Sequence, residues 1–338
     1  MRVQPMKILF AAAALALLAT GAARSAEPVK IRIGWLLVPA EITPILFPQP
    51  GIARHLGQTY TIETTRFQGS PLLIGALAAG EIDVAPFGYS SFAVAVENAA
   101  MTNLRIFADE DRDGEGPHFT TQYPVRSDSG INRVEDLKGK VFASNARGSI
   151  GDIAARIMMS RHGLDPMRDV ATVEVAFPNM NAVLAEKKAD LIVSVLPFSL
   201  DPNLHNIAKT LFTARDGMGP TEISMLTATD GFLRDHRAAV VDFLEDYLRA
   251  LHWYDDPANH DAVVRTVAEF VKLPPERFAS WVFTAQDYYR DPHARIDVAA
   301  LQKNIDAQRE LGFLKTDVRA AAYVDMSLVK EAAGRVSW

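Results

Sequence analysis

The sequence predicts an α/β fold, a mostly parallel sheet covered by helices. Short apolar strands alternate with helical segments through the first two thirds of the chain, the pattern of a parallel sheet with crossover helices. Gly and Ser stand where strands give way to helices. From Asp230 onward the pattern turns helical, with apolar residues at i, i+3 and i+4.

Ile31, Ile33 and Trp35 alternate with Arg32 and Gly34 and mark the first strand, which runs on through Leu36-Leu37-Val38. Pro48 and Pro50 then break any long helix, so a loop is expected. Tyr60 to Phe67, rich in Thr and Ile, is the second strand. Gly69-Ser70-Pro71 opens a helix carrying Leu72, Leu73, Ala76 and Leu77, with Ser70 as the expected cap and Gly80 as the stop. Ile82 to Ala85 is a short buried strand. Gly88-Tyr89-Ser90 leads into a helix over 92–98, and Leu104 to Ala108 reads as a strand.

A second unit repeats this logic. Phe119 to Val125 is strand-like, and Asn132 with Glu135 suggests a capping box. Lys140 to Ala143 is a strand, and Gly148-Ser149-Ile150-Gly151 opens a helix ending near Gly163. Thr172 to Phe177 is a strand, Asn179 to Lys187 a helix and Asp190 to Val195 a strand. Val240, Phe243, Leu244, Tyr247, Leu248 and Leu251 share one helix face. Further helices are expected at 259–271, 275–283, 297–310 and 326–333.

The chain's 338 residues suggest two domains. With no cysteine it has no disulfide, no thiol nucleophile and no Cys-ligated metal. A net charge of −6 argues against nucleic-acid binding through a basic surface. Residues 1–26 read as a secretory signal peptide: Arg2 and Lys7, then the unbroken apolar run Ile8 to Ala19, then small residues. That run is shorter than the ~20 residues of a membrane-spanning helix. Its removal takes Arg2, Lys7 and Arg24, moving the charge from −6 to −9. An exported protein, soluble in a bacterial periplasm, is the expectation.

Ligands of open α/β sheets bind beyond the carboxyl ends of strands, where helices begin. Three turns answer this description: Gly69-Ser70, Gly88-Tyr89-Ser90 and Gly148-Ser149-Ile150-Gly151. Free amides at a helix start favour an anion, although plain capping explains any single one of them. Trp35, Phe87, Tyr89 and Phe177 lie near strand ends. Phe87 and Phe177 read as core, while Trp35 and Tyr89 read equally as core or pocket wall. Asp83 is expected to satisfy backbone groups at a strand edge, and His252 to pack.

Asp109 to Gly114 begins like a calcium loop, but the twelfth position is Thr120 rather than a bidentate Glu, so a solvated acidic loop is expected. There is no P-loop, no HExxH and no nucleophile elbow, hence no catalytic, cofactor or metal assignment.

Gly69 to Val84, with Ala76-Leu77-Ala78-Ala79-Gly80-Glu81-Ile82-Asp83-Val84 at its end, resembles a signature of ABC-transporter substrate-binding proteins of the nitrate/sulfonate/taurine type, which include binders of thiamine-pyrimidine precursors. Val125 to Ile131, Asp136 to Lys140, Gly148-Ser149 and Lys188 to Leu191 continue the resemblance over about residues 30–255. It implies a two-lobed type II periplasmic-binding fold. One lobe would hold 27–120 plus 222–338 and the other 121–221.

It further implies a monomeric receptor for a small organic anion, sulfonate-like or related, delivered to an inner-membrane ABC permease and its ATPase. By position the pocket residues are Trp35, Gly69, Ser70, Gly88, Tyr89, Ser90, Gly148, Ser149, Ile150 and Asn179. Three alternatives stay open: a neutral pyrimidine-type ligand, a sensor reporting to a signalling partner, and an enzyme on the same fold. The thiamine-pyrimidine synthases that resemble this fold carry a cysteine-rich motif absent here. Pro44, Pro48, Pro50 and the segment 109–116 depart from the family pattern near the expected cleft mouth.

Overall fold

The computed structural model describes residues 27–37, 40–47 and 49–336. The signal peptide expected over 1–26, and Pro48, lie outside the described residues. Two five-stranded sheets organise the chain. The first is built from β1 (Val29–Trp35), β2 (Tyr60–Arg66), β3 (Val84–Phe87), β4 (Leu104–Asp113) and β10 (Thr221–Thr229), in the order β2-β1-β3-β10-β4. The second holds β5 (Gln122–Arg126), β6 (Val141–Ser144), β7 (Ala171–Glu174), β8 (Leu191–Ile192) and β9 (Ala208–Thr213), in the order β7-β6-β8-β5-β9.

The two orders are the same pattern. In each sheet four strands run one way, and the strand in fourth position runs against them. Those reversed strands, β5 and β10, are the first strands after the chain passes from one sheet to the other. The sheets are thus mostly parallel, as expected, with one reversed strand apiece.

The helices are α1 (Ser70–Ala78), α2 (Tyr89–Glu97), α3 (Ile150–Arg161), α4 (Phe177–Ala185), α5 (Pro202–Ile207), α6 (Ala214–Met218), α7 (Asp230–Asp235), α8 (Arg237–Asp255), α9 (His260–Val271), α10 (Val298–Glu310) and α11 (Ser327–Ala333). One core cluster joins α1, α2 and α10 to the second sheet and α3, and another lies under α8, α9 and α11. The α8 stripe is buried at every position the periodicity marks, from Val240 to Leu251. Each such side chain contributes about 1.5–3 kcal/mol. Among the described residues no helix is long and apolar enough to cross a membrane.

Several local expectations are corrected. Gly69, not Ser70, occupies the cap of α1, and Ser70 is its first helical residue. Arg133 rather than Asn132 precedes the short turn Val134–Leu137, and the Asp136 carboxylate accepts from both their amides. Over 275–283 only Pro275–Arg277 forms a helical turn. Phe278, Trp281 and Val282 are buried at helix-like spacing, but Phe283 takes a left-handed backbone, which a continuing helix forbids. Asp83 accepts from the Arg32 amide at 2.9 Å, as expected, and pairs with its guanidinium at 2.6 Å.

The largest correction concerns Asp109 to Asp113. This run is the buried end of β4, not a solvated loop, and none of its five residues is more than 7% exposed. The strand continues because β10 pairs with it through Asp113. Its charges find partners inside the fold. Glu110 accepts from Thr43 and Ser224 hydroxyls, both at 2.6 Å, and Asp113 accepts from the Thr121 amide at 2.6 Å. Arg112 lies 3.0 Å from Glu222 and 3.5 Å from Asp109. Asp111 makes no hydrogen bond through either carboxylate oxygen; burial pushes its carboxyl well up, and the nearby Arg290 guanidinium opposes this.

Candidate functional site

The carboxyl ends of the parallel strands of both sheets face one another across an inner cavity of about 120 Å³. The first sheet and its flanks bring Leu36, Leu37 and Glu41 after β1, Ser70 at the start of α1, and Pro86, Gly88 and Ser91 around the β3–α2 turn. The second brings Asn145 after β6, Ser149, Ile150 and Gly151 at the start of α3, Phe177 at the start of α4, and Val193 and Val195 after β8. Thr121, Ile223 and Tyr288 complete the wall. Among the described residues no Lys or Arg lines it.

Glu41 is the carboxyl of this cavity. Its Oε2 accepts from the amides of Leu36 at 2.5 Å and Leu37 at 2.7 Å. Burial, helped by the neighbouring Glu110 charge, pushes the carboxyl up to about 8 despite those two amides. Ser149 caps α3 as expected, accepting from the Asp152 amide at 3.3 Å while donating to Asn145 Oδ1 at 2.8 Å. The amide of Gly148 is already taken by the Asp152 carboxylate at 2.9 Å, so this helix start is less open to an anion than the sequence implies. Ser70 and Ser91 hydroxyls line the cavity and make no hydrogen bond among the described residues.

The ten expected pocket residues divide. Ser70, Gly88, Ser149 and Ile150 meet in the inner cavity. Ser70 and Ser149 also border a space of about 70 Å³ with Ser90 and Gly148. Trp35 stands in a larger outer chamber. Gly69, Tyr89 and Asn179 line none of these spaces. Gly69 is spent on capping α1. Tyr89 is the first residue of α2 and fully buried, and burial raises its phenol. Asn179 is exposed on α4; two residues further on, about 200° around the helix, Asn181 lines the outer chamber instead. Phe177, expected in the core, is cavity wall, while Phe87 is core as expected.

Sequence reading missed Glu41, Thr121, Asn145, Asn181 and Tyr288. Of these only Glu41 carried a signal, as an acid just beyond the first strand's end.

The outer chamber, about 680 Å³, opens beside Leu37, which it shares with the inner cavity. The junction is continuous along the chain: Trp35, Pro178 and Pro197 line the outer side, and Leu36, Phe177 and Val195 the inner. Elsewhere, His55 approaches Glu245 at 3.3 Å and Asp242 at 3.9 Å, but Arg249 already pairs with Glu245 and Arg335 with Asp242 at 3.1 Å.

Gly88 has no room for a side chain. A Cβ there would lie 2.3 Å from Ile150 Cδ1 and 2.5 Å from the Ile223 carbonyl oxygen, and the backbone oxygen cannot swing aside. Gly88→Ala is therefore expected to cost about 1–3 kcal/mol in urea unfolding and to push Ile150 out of place in the cavity. An unchanged unfolding midpoint would contradict this packing.

The NMT1-like family model matches residues 24–268. No curated protein sequence matches the chain. Among solved structures, the alkanesulfonate-binding protein SsuA from Xanthomonas axonopodis pv. citri, bound to MOPS, is 21% identical. The match covers 89% of this chain and 99% of that one, with a TM-score of 0.70. The periplasmic nitrate-binding protein NrtA from Synechocystis PCC 6803 is 15% identical, covering 92% and 90%, at TM-score 0.72. The desulfurization enzyme DSZB is 17% identical, covering 91% and 99%, at TM-score 0.63. These likenesses show the two-lobed fold that the sequence led us to expect. The family model spans well over half of the residues, and the chain belongs to the NMT1-like family.

Proposed function

We propose that this chain is a solute-binding receptor that delivers a small organic ligand to an ABC importer from the periplasm, as a monomer. The observation that carries this reading is the inner cavity: it sits where the helix starts of two sheets converge, and Ser70 reaches it from one side and Ser149 from the other. One lobe comprises 27–120 plus 222–338 and the other 121–221. Because the chain passes between the sheets twice, the lobes close over the ligand by a hinge motion. Closure excludes water and strengthens each polar contact.

Binding rather than catalysis is supported by the lining. Its titratable side chains are Glu41 and Tyr288, and one Glu41 oxygen is held by two amides. Among the described residues no His, Lys or Cys lies there to activate Ser70 or Ser149. A neutral heteroaromatic ligand is the second reading, favoured by the absence of any cation from this lining.

The double replacement Ser70→Ala with Ser149→Ala tests the assignment. Losing two hydrogen bonds worth about 0.5–1.5 kcal/mol each should weaken binding roughly 5- to 150-fold by isothermal titration calorimetry. Ser149→Ala also removes the α3 cap, at about 1 kcal/mol of stability. Affinity unchanged in the double variant would move the ligand elsewhere.

A further inference from the structure

Of the two adjoining chambers, only the outer one is lined by cations. The inner cavity holds Glu41 and, among the described residues, no cation. The outer chamber is lined by Arg66, Lys272 and Arg277, none of which forms an ion pair among the described residues. Its acid, Asp201, is engaged as the cap of α5, accepting from the Asn203 amide at 2.9 Å. Three unpaired cations around one opening, in a chain of net charge −6, make a local positive field that low-dielectric walls concentrate.

The same chamber also carries aromatic and apolar surface between those charges. The Arg66 guanidinium lies over the Trp35 ring at 5.4 Å from its centroid, and Phe270 meets Trp35 at 5.5 Å. Five large apolar side chains are left exposed among the described residues, and two of them, Phe270 and Leu273, line this chamber. Exposed apolar surface gathered at an opening marks a place that something covers. Size points the same way. The inner cavity, at about 120 Å³, is below the ~300–1,000 Å³ of ordinary ligand pockets, whereas the outer chamber at about 680 Å³ is within it.

Building on the receptor reading above, we infer that the ligand is an aromatic acid bound charge-outward. Its anionic group is held by Arg66, Lys272 and Arg277, its ring lies against Trp35 and Phe270, and an uncharged polar end enters the inner cavity beside Glu41. This reverses the orientation suggested by the Gly/Ser helix starts, which would draw the anion inward. The inner wall offers an anion no cation among the described residues, whereas the outer cations favour the opposite arrangement.

The test is calorimetric titration of the protein with matched pairs of probes at low and high salt. Benzenesulfonate, benzoate and phenyl phosphate are the anions; benzenesulfonamide, benzamide and phenol are their uncharged counterparts; taurine is the anion without a ring. The same titrations are run on Arg66→Ala with Arg277→Ala, and on the Ser70/Ser149 double variant. Far-ultraviolet circular dichroism verifies the fold of each. We expect at least one aromatic anion to bind about tenfold or more tighter than its counterpart and than taurine. That preference should weaken with salt and vanish in the arginine variant, while the serine variant loses affinity for both members of the pair alike.

A preference for the anion that survives in the arginine variant and disappears in the serine variant would overturn the charge-outward orientation. Equal affinity for charged and uncharged probes, or taurine binding as tightly as the aromatic anions, would overturn the ligand class and leave the receptor reading standing. Binding of none of these probes, together with none of the wider solute classes named at the close of the Discussion, would overturn both.

Discussion

Replacing Arg290 with Ala should destabilise the protein by about 3–5 kcal/mol, among the largest effects of any single substitution. Arg290 lies buried 3.1 Å from Asp287, its guanidinium carbon 4.3 Å from the centre of the Phe283 ring. It is the cation facing Asp111 and Asp255 as well as Asp287. Removing one partner of a buried charge set leaves the remaining charges uncompensated in a low-dielectric interior, which costs more than the pair contributes when intact. Asp111, which makes no hydrogen bond, would be left worst off. Urea unfolding of Arg290→Ala against the parent protein measures this. A loss below 1 kcal/mol would mean that the buried acids are already neutral and need no cation. The companion variant Arg290→Met, which keeps the packing on Phe283 and removes only the charge, separates the two contributions.

The second large effect is a pH dependence that runs opposite to ordinary acid denaturation. Glu41 has an ordinary value of 4.5 and is pushed up to about 8 in the folded chain, chiefly by burial. Below pH 4.5 its carboxyl is protonated in folded and unfolded chains alike and changes nothing. Between 4.5 and about 8 the unfolded chain releases a proton that the folded chain retains, so stability falls by about 1.4 kcal/mol per pH unit. Above about 8 both forms are ionised and the loss levels off, on the order of 5 kcal/mol in all. Asp109, pushed to about 6 by burial, acts in the same direction over a lower window.

Glu41→Gln isolates the first contribution, because a glutamine oxygen can still accept from the amides of Leu36 and Leu37. The unfolding free energies of the variant and parent should be close at pH 5 and differ by several kcal/mol in favour of Gln at pH 8.5. A difference that stays constant between those two pH values would show that Glu41 ionises at its ordinary value and is not shielded from water.

The sequence carried the architecture because the architecture is local. Alternating strands and helices, a Ser at the start of α3 and the α8 stripe are each written within a dozen residues, and each formed where expected. What was not legible depends on partners far apart in the chain. A run of acids reads as solvated by its composition, yet Asp109 to Asp113 is buried. Thr43, Ser224 and Arg290, which make that tolerable, lie at least 66 residues away along the chain. The cavity shows the same limit. Ser70 and Ser149 could be found by their helix starts, but Tyr288 joins them only through the fold. Asn179 was misplaced by a phase error: on α4 a shift of two residues turns the side chain from solvent to the outer chamber, where Asn181 lies.

The central claim, that the space between the two sheets is a solute site, is tested most directly by a thermal-shift screen of ligand-free protein. The panel holds sulfonates, nitrate, aliphatic and aromatic carboxylates, and pyrimidines. A ligand present at about 100 times its Kd should stabilise the folded protein by about 2.7 kcal/mol, a rise of several degrees in Tm. The account predicts such a rise with one chemical class, and its reduction in the Ser70/Ser149 double variant. No rise with any class, or a rise that the double variant keeps in full, would contradict it.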